Sequence, residues 1–163
     1  DPFFNVQWSL QNDGSFNEQA VAGADVQAVD AWDITTGSPN VIIAVLDSGT
    51  NLSEADIAPN LWVNQDELPD NGIDDDQNGY IDDVYGYDFV NEDGDPNDDH
   101  GHGSNVMGII AMRGDNALGL AGACWSCKIM TGKNLDDDNS GLYSNFAESV
   151  IYAVDQGAHL INM

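Results

Sequence analysis

Two short stretches hold residues whose types and spacing suit bond-breaking chemistry. The first, Val41 to Gly49, reads VIIAVLDSG: apolar and β-branched residues stop abruptly at Asp47-Ser48-Gly49. The second, His100 to Gly108, reads HGHGSNVMG, with His102 between two glycines. A carboxylate that orients an imidazole, and an imidazole that takes a proton from a nucleophile and gives it to a leaving group, are two members of a hydrolytic triad. Asp47 fits the first role and His102 the second. Each also has a plainer reading when taken alone. Asp47 would serve as a strand-end acid accepting loop amides, and His102 as a solvated residue at a helix start.

Such residues need rigid elements to hold them. The run 41–46 has the composition of a strand buried on both faces, as in a parallel sheet. An acid at the carboxyl end of such a strand lies where open α/β sheets place their sites. Residues 103–113 read as a helix whose buried face includes Val106, Ile109, Ile110 and Ala111, preceded by glycines that let the backbone crowd the site. Upstream, residues 1–24 read as an extended arm, 26–34 as a helix by apolar spacing, and 36–40 (TGSPN) as a stop and turn. Downstream, Lys128 to Met130 reads as a short strand and Ser144 to Gln156 as a helix, with Gly157 in the C′ position that favours glycine. Leu160 and Ile161 stand in a further strand, expected to be buried. Strands alternating with helices predict an α/β fold with a mostly parallel central sheet.

Charge narrows the partners. Three Lys+Arg against 29 Asp+Glu give a formal net charge of −26, so nucleic acid and anionic membrane surfaces are excluded as partners. No apolar run is long enough to span a membrane. Much of the acid falls in the long connection 51–99, and a loop of that length is usually functional or ordered by a metal. Within it Asp74, Asp76 and Asn78 alternate, Gly79 takes the sixth place and Tyr80 offers a carbonyl, like the first half of an EF-hand calcium loop. The twelfth place, where a bidentate Glu is expected, holds Tyr85; Asp82 or Asp83 would substitute if the chain folds back. Cys124 and Cys127 form a lone CxxC without the second pair of a zinc site, and read as a local disulfide or two free thiols.

Taken together, the motifs resemble those of subtilisin-like serine proteases, the subtilases. Asp47-Ser48-Gly49 matches the family's D-[ST]-G motif, and 102–108 (HGSNVMG) matches H-G-T-H-V-A-G, with Asn105 and Met107 in place of the usual His and Ala. The opening D-P-F-F and the later A-W-D-I-T-T-G before the first strand are similar to mature subtilases. The pattern starts at His102, which leaves His100 as a neighbour at the rim.

The resemblance implies a subtilisin-like three-layer fold, of which this chain is the N-terminal part of one catalytic domain. On that reading 1–40 is the arm and first helix, and 41–50 the strand with the acid. Residues 51–99 form the calcium-binding connection, and 100–163 the His-motif helix, substrate edge, next helix and start of a strand. It further implies a secreted endopeptidase acting on peptide or protein substrates, with Asp1 a mature end left by processing. The triad order Asp, His, Ser puts the nucleophile beyond Met163, on a C-terminal part of the same domain. Asn139-Ser140-Gly141 resembles the edge to which substrate backbone adds as an extra strand. Calcium is implied at two further places. One joins Asp1, Asp56 and Asn116 with carbonyls of Arg113, Leu118 and Leu120. The other, as in thermitase-like members, comprises Asp88, Asn91, Asp93, Asp95 and Asn97. Two rivals stand beside this reading: a catalytically inactive protein of the same fold, and a calcium-binding structural module.

Overall fold

All five residues from Ile43 to Asp47 are buried, which a strand achieves only when both faces of its sheet are covered. A computed structural model describes residues 1–163. Strand β1 (Ile42–Asp47) lies inside a four-stranded parallel sheet with β2 (Gly86–Asp88), β3 (Lys128–Lys133) and β4 (Leu160–Asn162), in the order β2-β3-β1-β4. Because side chains alternate along a strand, β1 feeds two separate cores. Ile43 and Val45 meet Met107 and Ala111 of helix α2 (His102–Ala111), together with Ile57 and Ile129. Ala44 and Leu46 meet Tyr152 and Ala153 of helix α3 (Tyr143–Asp155), together with Tyr87, Phe89 and Met130. Helix, sheet and helix make the three layers of an α/β fold.

The arm is tied down rather than loose. Phe3 N–H donates to Gly119 O at 3.2 Å, and Gln7 exchanges two hydrogen bonds with the backbone of Ala121, at 2.8 and 2.9 Å. The helix expected over 26–34 shrinks to Ala28–Trp32. Val26 and Ile34 are 70% and 87% exposed, so the ends of that apolar spacing have no surface to pack against. Strand β3 runs three residues further than expected, to Lys133, whereas α2 stops at Ala111 because Met112 turns to extended backbone. Gly157 follows α3 with a φ of +82°, the left-handed C′ geometry its sequence position predicts. Leu160 was expected to be buried and is 59% exposed, since β4 pairs with β1 alone. Cys124 and Cys127 form a disulfide, which decides between the two readings of the CxxC.

The carboxyl ends of the strands carry charge. Lys133, one of only three Lys and Arg residues, is 3% exposed; its Nζ lies 2.7 Å from Asp99 and 3.2 Å from the fully buried Asp88. Removing one partner from a buried pair strands the other charge without compensation. Lys133→Ala should therefore lower stability by about 3–5 kcal/mol. The check is chemical denaturation at fixed calcium, and a midpoint equal to the parent's would mean that water takes the ammonium's place.

Candidate active site

At the carboxyl end of β1 the chain must turn sharply beneath the start of α2, and two glycines permit it. Gly49 has a φ of +112°, and a Cβ there would lie 2.6 Å from Pro96 O. At Gly103 a Cβ would lie 2.2 Å from Gly49 O, so any side chain would push the helix away from the strand. That closeness delivers His102 to Asp47. Nδ1 of His102 stands 2.7 Å from Oδ1 of Asp47, which also accepts the Ser48 N–H at 2.7 Å. The Asp47 side chain is 8% exposed and the His102 side chain 51%. With Nδ1 donating to the carboxylate, Nε2 is left as the acceptor. The Asp47 hydrogen bond, then its charge, raises the imidazole above its ordinary range, and Asp98 adds a smaller push.

His100 does not share this geometry. It is exposed, its ring centre lies 6.5 Å from that of His102, and its N–H donates to Asp98. Met107, larger than the family's usual Ala, is fully buried against β1, and its sulfur meets the Thr50 hydroxyl. Asn105 is exposed. The proposed substrate edge, Asn139-Ser140-Gly141, is an exposed turn just after β3; Asp136 braces it by accepting Ser140 N–H at 2.9 Å. The same stretch joins the Asp47 end of the sheet, because Asn134 and Leu135 N–H groups donate to Asp47 O at 2.7 and 3.1 Å.

The acidic connection gathers three carboxylates, and one of them was not foreseen. Oxygens of Glu67, Asp76 and Asp83 lie within 4.8 Å of one another. Glu67 is 4% exposed and accepts the N–H groups of Asp75, Asp76 and Asp82 at 2.6–3.1 Å, organising the loop from inside. Asp83, fully buried, takes hydrogen bonds from Tyr152 at 2.7 Å, Asn64 at 2.9 Å and Asn78 at 3.0 Å. Burial pushes its carboxyl up to about 6, against those hydrogen bonds. Of the two acids offered for the closing position, Asp83 faces Asp76. Asp82 turns away to cap the N–H groups of Asn71 and Gly72, at 3.1 and 3.0 Å. Asp74 accepts the N–H groups of Asn78 and Gly79, and Tyr80 N–H donates to Asn78, so the EF-hand-like half-loop is compactly wound.

The other two acidic groups differ. Asp56 is 2% exposed; one oxygen accepts Asn116 Nδ2 at 2.6 Å and the other has no partner. Asp1 accepts the Asp115 and Asn116 N–H groups at 2.9 and 3.1 Å, and Arg113 N–H donates to Asp56 O. Leu118 N–H donates to Asn116 Oδ1, and Leu120 lies in the same loop. An orphaned buried carboxylate oxygen amid oxygen donors fits a hard cation such as calcium. In the thermitase-like group, Asp88 is already engaged by Asn91 and Lys133. Asp93 and Asp95 cap their own loop at Asp95 N and Asn97 N, and Asn97 accepts Leu52 N–H.

Comparison with known proteins gives a consistent relationship. The Subtilase family matches residues 38–163. Subtilisin-like protease 1 of Plasmodium berghei is 40% identical over 165 residues, covering 99% of this chain and 25% of that protein. The thermophilic serine proteinase of Bacillus sp. strain AK1 is 33% identical over 160 residues, covering 98% of this chain and 34% of its own length. A crystal structure of Aeromonas sobria serine protease with the chaperone superimposes with a TM-score of 0.74 at 24% identity, covering 100% of this chain and 25% of that one. The chain thus spans about a quarter of the length of the subtilisin-like protease 1 sequences it matches. Its α/β architecture and its sequence agree, and the chain belongs to the subtilase family.

Proposed function

We propose that this chain contributes the acid, Asp47, and the base, His102, of a serine endopeptidase. The nucleophilic serine and the oxyanion donors come from outside residues 1–163. The observation that carries this reading is the 2.7 Å Asp47–His102 pair, whose second ring nitrogen is left free at the carboxyl end of the sheet. In such an arrangement Nε2 removes the hydroxyl proton as the oxygen attacks the peptide carbonyl. Asp47 stabilises the imidazolium, and the proton then passes to the leaving amine. Peptide or protein substrate would lie in extended form along 139–141, an exposed segment at the same end of the sheet.

Two calcium sites accompany this reading, one at Glu67, Asp76 and Asp83, the other at Asp1, Asp56 and Asn116. Calcium there would neutralise buried carboxylates and hold the arm and the acidic connection in place. Secretion suits the acidity and the calcium sites proposed here, and one relative is named an extracellular protease, that of Natrialba magadii. No helix is long and apolar enough to cross a membrane.

The reading is tested with the full-length protease and with residues 1–163 alone. The former should cleave peptides and be silenced by a serine-directed phosphonofluoridate. The latter should hydrolyse nothing, because the residual catalysis of a damaged triad, about 10³–10⁴-fold over water, still depends on an oxyanion hole. Activity in residues 1–163 alone, or full-length activity indifferent to the reagent, would overturn it.

A further inference from the structure

We propose that Asp98 is a positioning residue for His102: its carboxylate ties Ser48, the neighbour of Asp47, to the first turn of α2 and so fixes the imidazole against the acid. The proposal rests on the reading of Asp47 and His102 as acid and base. Helix α2 starts without a side-chain cap, its N-cap being Gly101 at a φ of +97°. Amides at a helix start need acceptors, and here Asp98 supplies them from outside the helix. Oδ1 accepts the Ser48 hydroxyl at 2.9 Å and the N–H groups of His100 and Gly101 at 3.1 and 2.8 Å. Oδ2 accepts the Ser104 N–H at 2.9 Å and the Ser104 hydroxyl.

Ser48 closes the circuit. Its hydroxyl is fully buried, donates to Asp98 and accepts the Gly103 N–H at 2.9 Å. The residues on either side of His102 are therefore both held, Gly101 directly by Asp98 and Gly103 through Ser48. Ser48 is in turn joined to Asp47, so few backbone degrees of freedom separate acid from base. The loop bearing Asp98 is anchored on its own account. Asp98 N–H donates to Thr50 O at 3.1 Å, Thr50 N–H donates to Pro96 O at 3.0 Å, and Asp99 takes the buried Lys133 amine. Lys133 is the register partner of Asp47 across β1 and β3. Burial pushes the Asp98 carboxyl up, but the hydrogen bonds from Ser104, Gly101 and Ser48 outweigh it and hold the group below the usual carboxylate range.

A catalytic pair displaced by about 1 Å loses about 10²-fold in rate. The test is Asp98→Asn in the full-length protease, with active sites counted by burst titration so that unfolded enzyme does not enter the rate. The expected result is a kcat lower by about ten- to a hundredfold with little change in KM, and an acid limb of kcat/KM moved to lower pH. Ser48→Ala, which keeps the Asp98 charge and cuts only the tie, should move both in the same direction by less. A kcat per active site equal to the parent's with an unmoved acid limb would overturn the proposal. If Asp98→Asn fails to fold, the Ser48→Ala result decides on the same two readouts. His102→Ala separates this proposal from the reading beneath it. A protease still active without His102 refutes the triad, whereas loss of activity there with a parent-like Asp98→Asn refutes only the role of Asp98.

Discussion

Replacing His102 with Ala in the full-length protease should abolish peptide hydrolysis, while replacing His100 should leave most of it. Losing the base of an Asp-His-Ser group lowers kcat by about 10⁶-fold and losing the acid by about 10⁴-fold; both figures come from subtilisin, a member of this family, and not from the present chain. Asp47→Asn should fall in the second class, because an amide can leave the imidazole in the wrong tautomer while keeping its place. The pH profile gives an independent reading. The Asp47 hydrogen bond and charge raise the His102 imidazole, and the base works only when neutral, so the acid limb of kcat/KM should stand above the ordinary imidazole range. Asp47→Asn should move that limb to lower pH. Equal losses from His100→Ala and His102→Ala would show that the base is not confined to His102.

The second large effect concerns calcium. A ligand that binds only the folded state adds RT ln(1 + [L]/Kd), about 2.7 kcal/mol at a hundredfold excess over Kd. For a domain of this size each such site is worth roughly 5–10 °C in Tm. Chelation should lower Tm by that order and expose residues 66–99 to proteases. Asp76→Ala should remove one site and Asp56→Ala the other, independently, since the two groups share no residue. Asp83 adds a pH signature to the chelated form. Its folded carboxyl is pushed up to about 6 from an ordinary 3.8, so the folded state holds a proton the unfolded state gives up. The stability this contributes is fully present below about 3.8 and is lost as pH rises through about 6. In chelator, then, the protein should melt higher at pH 5 than at pH 7, and calcium should flatten the difference. A melting curve indifferent to chelation at both pH values would return the acidic connection to a merely solvated loop.

Much of this is legible in the amino-acid sequence, and the reason differs from residue to residue. β1 stood out because burial on both faces leaves a continuous apolar run, and α3 because its apolar positions repeat at helical spacing. Asp47 and His102 could be picked because one ends an apolar strand, the other sits between glycines before a helix, and both stand in motifs that resemble the subtilases. Glu67 could not, because nothing near it in sequence indicates that its carboxylate will face Asp83 across a folded connection. The choice between Asp82 and Asp83 was open for the same reason, since a loop's direction of return has no period to read. Asp98 hid in a run of acids and histidines, where its neighbours Asp99 and His100 carry similar chemistry to different partners. The apolar spacing over 26–34 overstates the helix, since spacing reports amphipathicity but not whether a surface exists to receive it.

The order of the strands has a consequence for how the molecule comes to be. β1 precedes both of its partners by a long stretch of chain, since they are residues 128–133 and 160–162. Pairings so distant in sequence must surrender the entropy of closing very long loops before any ladder bond rewards them, which makes such topologies slow to fold. An emerging polypeptide would carry β1 unpaired until residues 128–133 had also been made. The stretch that must close between β1 and β3 includes the acidic connection, whose like charges resist compaction. Divalent cations would therefore act on the rate of acquisition of structure and not on its final stability alone. Asp47 and His102 stand at the two ends of that acidic connection, so their meeting requires the same connection to close.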